Sequence, residues 1–325
     1  MKHIVLIHGR SSKPRQAEKF RLVTQSLLHG LNRVNEDVAQ RVENGDIAVT
    51  LAYYGDVNNA LMWAARQQTP PPISDDFLDR WPYQFEEDGS YDGSLDRLFG
   101  IPTTQQNRQY YDQLREQVSD NSLVDDLLDI LSPIAGFFGL SDEIINSQFP
   151  DLKAYFTDDG IGQLIRLRLL EKLLPILEAG QEVCLVSHSM GSIVAYDVLW
   201  QLSRLDEFRD LRHRKIDMMV TLGSPLGDKS VSSQLLDADD PVPGRYPANI
   251  RQWHNFAAAD DFISRDERLR DNFTDMLDGG LLEALDDHGM YNQFVNWHDE
   301  LNPHKFYGYL DNHDVAKYLS DWISR

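Results

Sequence analysis

Ser189 lies in the run Val183-Cys184-Leu185-Val186-Ser187-His188-Ser189-Met190-Gly191-Ser192-Ile193-Val194. A serine hydroxyl is a weak nucleophile at neutral pH and needs a neighbouring base to take its proton, with a third group orienting that base. The residues around Ser189 suit such a role. An apolar, β-branched run feeds directly into small-His-Ser-Met-Gly, and a helical pattern follows at once. A serine on a sharp strand-to-helix corner has its Oγ pushed out above the sheet, and the positions two before and two after it must be small to avoid collision. Gly191 fills the later position. Ser187 fills the earlier one, where glycine is more usual. The start of the next helix offers unpaired N–H groups and a favourable dipole to a developing oxyanion, which makes the amide of Met190 a candidate oxyanion donor.

With this turn, the N-terminal Ile7-His8-Gly9-Arg10-Ser11 and the order of strands that follows, the chain resembles the α/β-hydrolase superfamily, particularly its lipase- and esterase-like members. The resemblance spans most of the chain apart from residues 56–160. It implies a second oxyanion amide on Arg10, the residue after His-Gly. Independently of it, Gly9 lets the backbone turn tightly and aim an amide into a site. The Arg10 guanidinium reads either as a surface charge or as a partner for an acidic group on a substrate. His8 reads as a hydrogen-bonding residue beneath the site rather than as a base.

The resemblance also orders the remaining members as Ser, then Asp or Glu, then His. The acid is expected after the strand that follows Leu222-Gly223-Ser224-Pro225. In Ala257-Ala258-Ala259-Asp260-Asp261-Phe262-Ile263, Asp261 best matches the Asp-x-Val register of such enzymes, and Asp260 is its competitor. Four histidines lie downstream: His288, His298, His304 and His313. His313, in the loop before the last helix, is assigned as the base, with His304 in Asn302-Pro303-His304-Lys305 as second choice. The spacings match no zinc pattern, and no His-Glu-x-x-His occurs. Neither a metal nor a cofactor is expected.

The elements that must position these residues follow from periodicity. Residues 3–7 and 183–187 read as buried parallel strands, with further strands at 47–53, 216–222 and 250–258. Helical spacing predicts helices from about 14 to 43, over 161–179 ended by Gly180, over 192–202 and over 314–323. The order β-α-β-insertion-α-β-α-β-…-β-α implies an α/β protein, a single domain over 1–325 with a doubly wound, mostly parallel sheet. Residues 56–160 hold Pro70-Pro71-Pro72, acidic clusters and the aromatics Trp63, Trp81, Tyr83, Phe85 and Tyr91, with helical patterns near 107–119, 122–131 and 142–148. A stretch this long reads as a mostly helical insertion, either a lid or a peripheral subdomain.

Bulk properties bound the function. Over 325 residues the chain is 42% hydrophobic and 26% charged, as expected for a globular protein, and its net charge is −21. That charge disfavours nucleic acid and anionic membranes as partners. No run approaches the ~18 apolar residues of a membrane span. The first residues read as a strand rather than a signal peptide, so a cytoplasmic chain starting at Met1 is expected. Cys184, the single cysteine, allows no internal disulfide and reads as a small buried hydrophobe. The leading expectation is a serine hydrolase acting on a small-molecule carboxylic ester or lipid-like acyl substrate through an acyl-enzyme. An acyltransferase or thioesterase on the same triad and a non-catalytic binding protein of this fold are the alternatives. Oligomeric state is open.

Overall fold

Short apolar runs that are buried on both faces form strands. In the computed structural model, which describes residues 1–67, 88–118, 149–264 and 268–325, six of them make one sheet. They are β1 (Lys2–Ile7), β2 (Ile47–Ala52), β3 (Glu182–His188), β4 (Ile216–Leu222), β5 (Ile250–Ala258) and β6 (Ala284–Met290). All neighbours are parallel, in the order β2-β1-β3-β4-β5-β6. The order reverses between β1 and β3. These two strands are paired from Lys2 opposite Glu182 to Ile7 opposite Ser187, so their carboxyl ends lie side by side.

Alternate residues of a strand face opposite sides, and here the two sides carry two hydrophobic clusters. Val5, Ile7, Val183, Leu185 and Met219 pack on one side with α3 (Gly55–Gln67), α6 (Pro150–Thr157), α7 (Asp159–Glu178), α8 (Met190–Arg204) and α9 (Leu269–Asp278). Ile4, Leu6, Cys184, Val186, Val220 and Phe256 pack on the other with α1 (Gln16–Val34), α2 (Glu36–Glu43), α4 (Asp88–Phe99), α10 (Phe306–Asp311) and α11 (His313–Ser324). The remaining long helix is α5 (Arg108–Gln117). Ile161, Ile165, Leu169 and Leu173, each four residues apart, give α7 its buried stripe. Each such side chain contributes about 1.5–3 kcal/mol by leaving water.

Four features differ from the sequence expectations. The helix expected over 14–43 is two helices, because Asn35 leaves helical geometry (φ −157°) and its side chain caps Val38 N–H. A sixth strand, β6, lies at the sheet edge after β5. Its polar Ala-Leu-Asp-Asp-His-Gly-Met hides it from any search for apolar runs, and an edge strand needs burial on fewer sides. A short helix, α10, stands between β6 and the last helix. The described ends of the 56–160 stretch pack into the core: Val57, Ala60, Leu61, Leu152 and Tyr155 join one cluster, and Leu95, Leu98 and Ile101 the other. The helical pattern at 107–119 is α5. Those at 122–131 and 142–148, the triple proline, Trp81, Tyr83 and Phe85 lie outside the described residues. Among the described residues no helix is long and apolar enough to cross a membrane.

Candidate active site

In an open parallel sheet, ligands bind beyond the carboxyl ends of the strands where the strand order reverses. Here that point lies between β1 and β3. The loop leaving β1 carries Gly9 and Arg10, and the turn leaving β3 carries Ser189. The two are in contact: a Cβ added to Gly9 would lie 2.7 Å from Ser189 Cβ and 3.2 Å from its Oγ. The small residue at 191 has a similar cause, since a Cβ there would come within 2.5 Å of the His8 carbonyl oxygen.

Ser189 has φ +54° and ψ −129°, a left-handed conformation that costs a non-glycine residue about 1–3 kcal/mol. It is only 1% exposed. It stands at the N-cap of α8, and Met190 is the first helical residue, so the Met190 amide has no acceptor within the helix. Ser187 Oγ is turned inward, toward the Val220 carbonyl and Ser192 Oγ.

The Ser189 hydroxyl donates to His304 Nε2 at 2.9 Å. On the other side of that ring, Nδ1 donates to the Asp261 carboxylate, 2.9 Å from both oxygens. Asp261 sits just beyond β5 with its side chain fully buried. It accepts further hydrogen bonds from the Ile263 amide at 3.0 Å and the Tyr309 hydroxyl at 2.5 Å. Burial, with the Asp261 charge beside it, holds the Tyr309 phenol well above its usual range, so it remains a donor.

His188 steadies the loop that carries His304. Its Nε2–H donates to the His304 carbonyl at 2.7 Å, and its ring stacks on Phe306 at 4.9 Å. Burial, then the neighbouring His304, push its pKa well down, so it is neutral. His8 is also buried and neutral, chiefly through loss of water and then through Lys13. Its Nδ1–H donates to the Gly9 carbonyl and its Nε2 accepts the Tyr54 amide. Both ring nitrogens are thus occupied in holding the Gly9 loop.

The structure brings Ser189, Asp261 and His304 together and leaves out two other candidates. His313, the assigned base, is the first residue of α11. Its Nδ1 faces Asp314 at 3.2 Å, and its amide donates to Gln106. The position just before the last helix selects His313, but α10, unseen in the sequence, separates that helix from the loop after β6. His304 lies in that loop. Asp260 turns outward at φ +61° and pairs with Arg115 of α5 at 3.0 Å. Tyr309 and His188 escaped the sequence reading, because nothing in their local pattern separates them from core aromatics.

A cavity of about 370 Å³ opens over Ser189 and His304. Gly9, Arg10, Lys13 and Lys19 line one side, Met62 and Arg66 of α3 another, and Lys305 and Phe306 a third. The Arg10 guanidinium lies 4.2 Å over the Phe149 ring with Nε 3.6 Å from Asp151. Cys184 is buried within the sheet, where loss of water pushes its thiol up and keeps it protonated. Among the described residues no group of three or more His, Cys, Asp or Glu is placed to hold a metal ion. No family model, curated protein or solved structure matches the chain.

Proposed function

We propose that the protein is a serine hydrolase of the α/β-hydrolase type that cleaves carboxylic esters. The observation that carries this reading is the unbroken hydrogen-bonded chain from Ser189 through His304 to Asp261 at the edge of a cavity. The strained backbone of Ser189, its place where the strand order reverses and the chain order Ser-Asp-His support the same reading.

The mechanism follows from the roles. Ser189 Oγ attacks the acyl carbon as its proton passes to His304 Nε2. Asp261 holds Nδ1–H and offsets the positive charge that the imidazole gains. The carbonyl oxygen becomes an oxyanion between the amides of Met190 and Arg10. Collapse breaks the ester C–O bond, and the alcohol leaves with the proton from Nε2. Water then attacks the acyl-serine with His304 again taking the proton, and the carboxylic acid and free Ser189 are released.

A fluorophosphonate probe tests this directly. Folded wild-type protein is expected to be labelled at Ser189, and Ser189→Ala and His304→Ala are expected to lose the label. Labelling that survives either substitution, or no labelling of the folded wild type, removes the reading.

A further inference from the structure

The cavity over Ser189 runs against the charge of the rest of the molecule. The chain has 52 acidic and 31 basic residues. The described lining nevertheless contains Arg10, Lys13, Lys19, Arg66 and Lys305, and no Asp or Glu. A concave site lined by one sign of charge concentrates ligands of the other.

The cations differ in what holds them. Arg10 lies against Asp151. The Lys13 ammonium is turned back onto its own loop and donates to the carbonyls of Arg10, Ser11 and Ser12. Lys19, from the first turn of α1, has no such arrangement. It is 3% exposed, and its one polar partner among the described residues is the Tyr307 hydroxyl at 2.9 Å. Its Nζ lies 4.1 Å from the centre of the Tyr307 ring and 5.6 Å from that of Phe306, and no carboxylate there is within ion-pair reach. Lys305 lies 5.8 Å from the same Tyr307 ring. An ammonium has three donors, so one bond to Tyr307 leaves two uncommitted. A buried cation without a counter-charge is costly. Burial first, then Lys13 and Lys305, accordingly push the Lys19 ammonium well below its ordinary range. An anion entering the cavity would supply both the counter-charge and the acceptors.

We propose that the ester cleaved at Ser189 is a small anionic compound whose oxyanion group, a carboxylate or a phosphate, docks against Lys19 and Lys305 while its acyl carbon meets Ser189 Oγ. This rests on the hydrolase reading above and narrows it: a long neutral lipid chain is a poor fit to a cavity walled by ammonium groups.

Two measurements separate the claims. The first compares kcat/KM for mono-4-nitrophenyl succinate, which carries a carboxylate, with that for its neutral methyl-capped counterpart. Wild type is expected to prefer the anionic ester at least about tenfold, and Lys19→Met to lose most of that ratio. Lys305→Met, at a half-buried position, is expected to lower the ratio several-fold and carries the test if Lys19→Met does not fold. A wild-type ratio at or below one, or a ratio that both substitutions leave intact, overturns the proposal. The second measurement titrates inorganic phosphate and succinate into Ser189→Ala by calorimetry and needs no catalysis. At least one is expected to bind, about fivefold or more weaker after the lysine substitution, and the tighter of the two identifies the oxyanion. Cleavage of neutral esters with no anion binding sinks this inference and leaves the hydrolase standing. Lysine-dependent anion binding with no ester cleaved removes the hydrolase reading, and the ester with it, and leaves only an anion site at Lys19 and Lys305.

Discussion

Asp261 and Asp311 are both carboxylates with fully buried side chains, and each has a histidine Nδ1 against it, at 2.9 Å for His304 and 2.5 Å for His29. What surrounds the two pairs differs. Asp311 also meets the Arg33 guanidinium at 2.9 Å, so its charge is already balanced. One face of the His29 ring is covered by Phe99, stacked at 4.2 Å, and no hydroxyl among the described residues is bonded to its Nε2. Among the described residues, the other donors to the Asp261 carboxylate are a phenol and a backbone amide, both neutral. Its negative charge therefore remains for the imidazole, and the far side of His304 meets Ser189 and a cavity. A buried Asp–His pair is thus not in itself a site. On the hydrolase reading it becomes one where no cation offsets the carboxylate and a serine hydroxyl stands beyond the ring.

The largest effect that would break this comparison lies with the base. On the hydrolase reading, His304→Ala is expected to lower kcat by about 10⁴-fold, leaving what oxyanion donors and binding alone supply. His313→Ala is expected to change kcat less than about twofold, because its ring faces Asp314 at a half-exposed position. Steady-state hydrolysis of a nitrophenyl ester measures both, and the opposite ranking would restore His313. The carboxylates rank next. Asp261→Asn keeps the shape but removes the charge and misdirects the Nδ1 proton, and a kcat loss of about 10³-fold is expected. Asp260→Asn touches the Arg115 pair at the surface and the Tyr111 hydroxyl, not His304, and less than about threefold is expected.

The other pair is expected to answer in stability. Asp311→Asn leaves Arg33, whose side chain is 6% exposed, without its counter-charge. Breaking a buried pair in this way costs about 3 kcal/mol, equivalent to a lower Tm by about 5 °C for a chain of this size. Thermal unfolding by circular dichroism checks this, and kcat of the folded variant is expected to stay near that of wild type. A large kcat loss without a Tm change would mean that the two pairs are not of different kinds.

The same contrast explains what could be read from the sequence. β1, β3 and the Ser189 turn were legible because a strand buried on both faces must be apolar and a strained corner must be flanked by small residues. Asp261 was reachable through its position after β5. The histidine that meets Ser189 was not, because β6 is a polar edge strand and α10 is only six residues long, so the position before the last helix points to His313 rather than His304. His304 stands just before α10 and His313 opens α11, both among polar residues, and only the fold distinguishes them. The cationic cavity was illegible for another reason. Arg10, Lys13, Lys19, Arg66 and Lys305 come from four separate elements, and a net charge of −21 averages them away.

The smallest and sharpest test concerns Tyr309, which donates to Asp261 while its oxygen accepts the Ala258 amide at 2.9 Å. Tyr309→Phe removes a hydrogen bond to a charged group and leaves a buried amide without an acceptor, so a stability loss of about 1–2 kcal/mol is expected. If Tyr309 only filled space, the pH limbs of activity per folded molecule would stay in place. If it tunes the carboxylate, removing it leaves more negative charge facing the imidazole and a less firmly oriented Asp261. The acid limb of the kcat/KM profile is then expected to move to higher pH, with kcat falling about tenfold. The sign is the decisive part. A neutral donor withdraws charge from the carboxylate, so its loss must favour the protonated imidazole, whereas loosened packing alone lowers the whole profile without moving its limb. A limb that stays in place while kcat falls would assign Tyr309 to packing and would weaken the claim that neutral donors set Asp261 apart from Asp311.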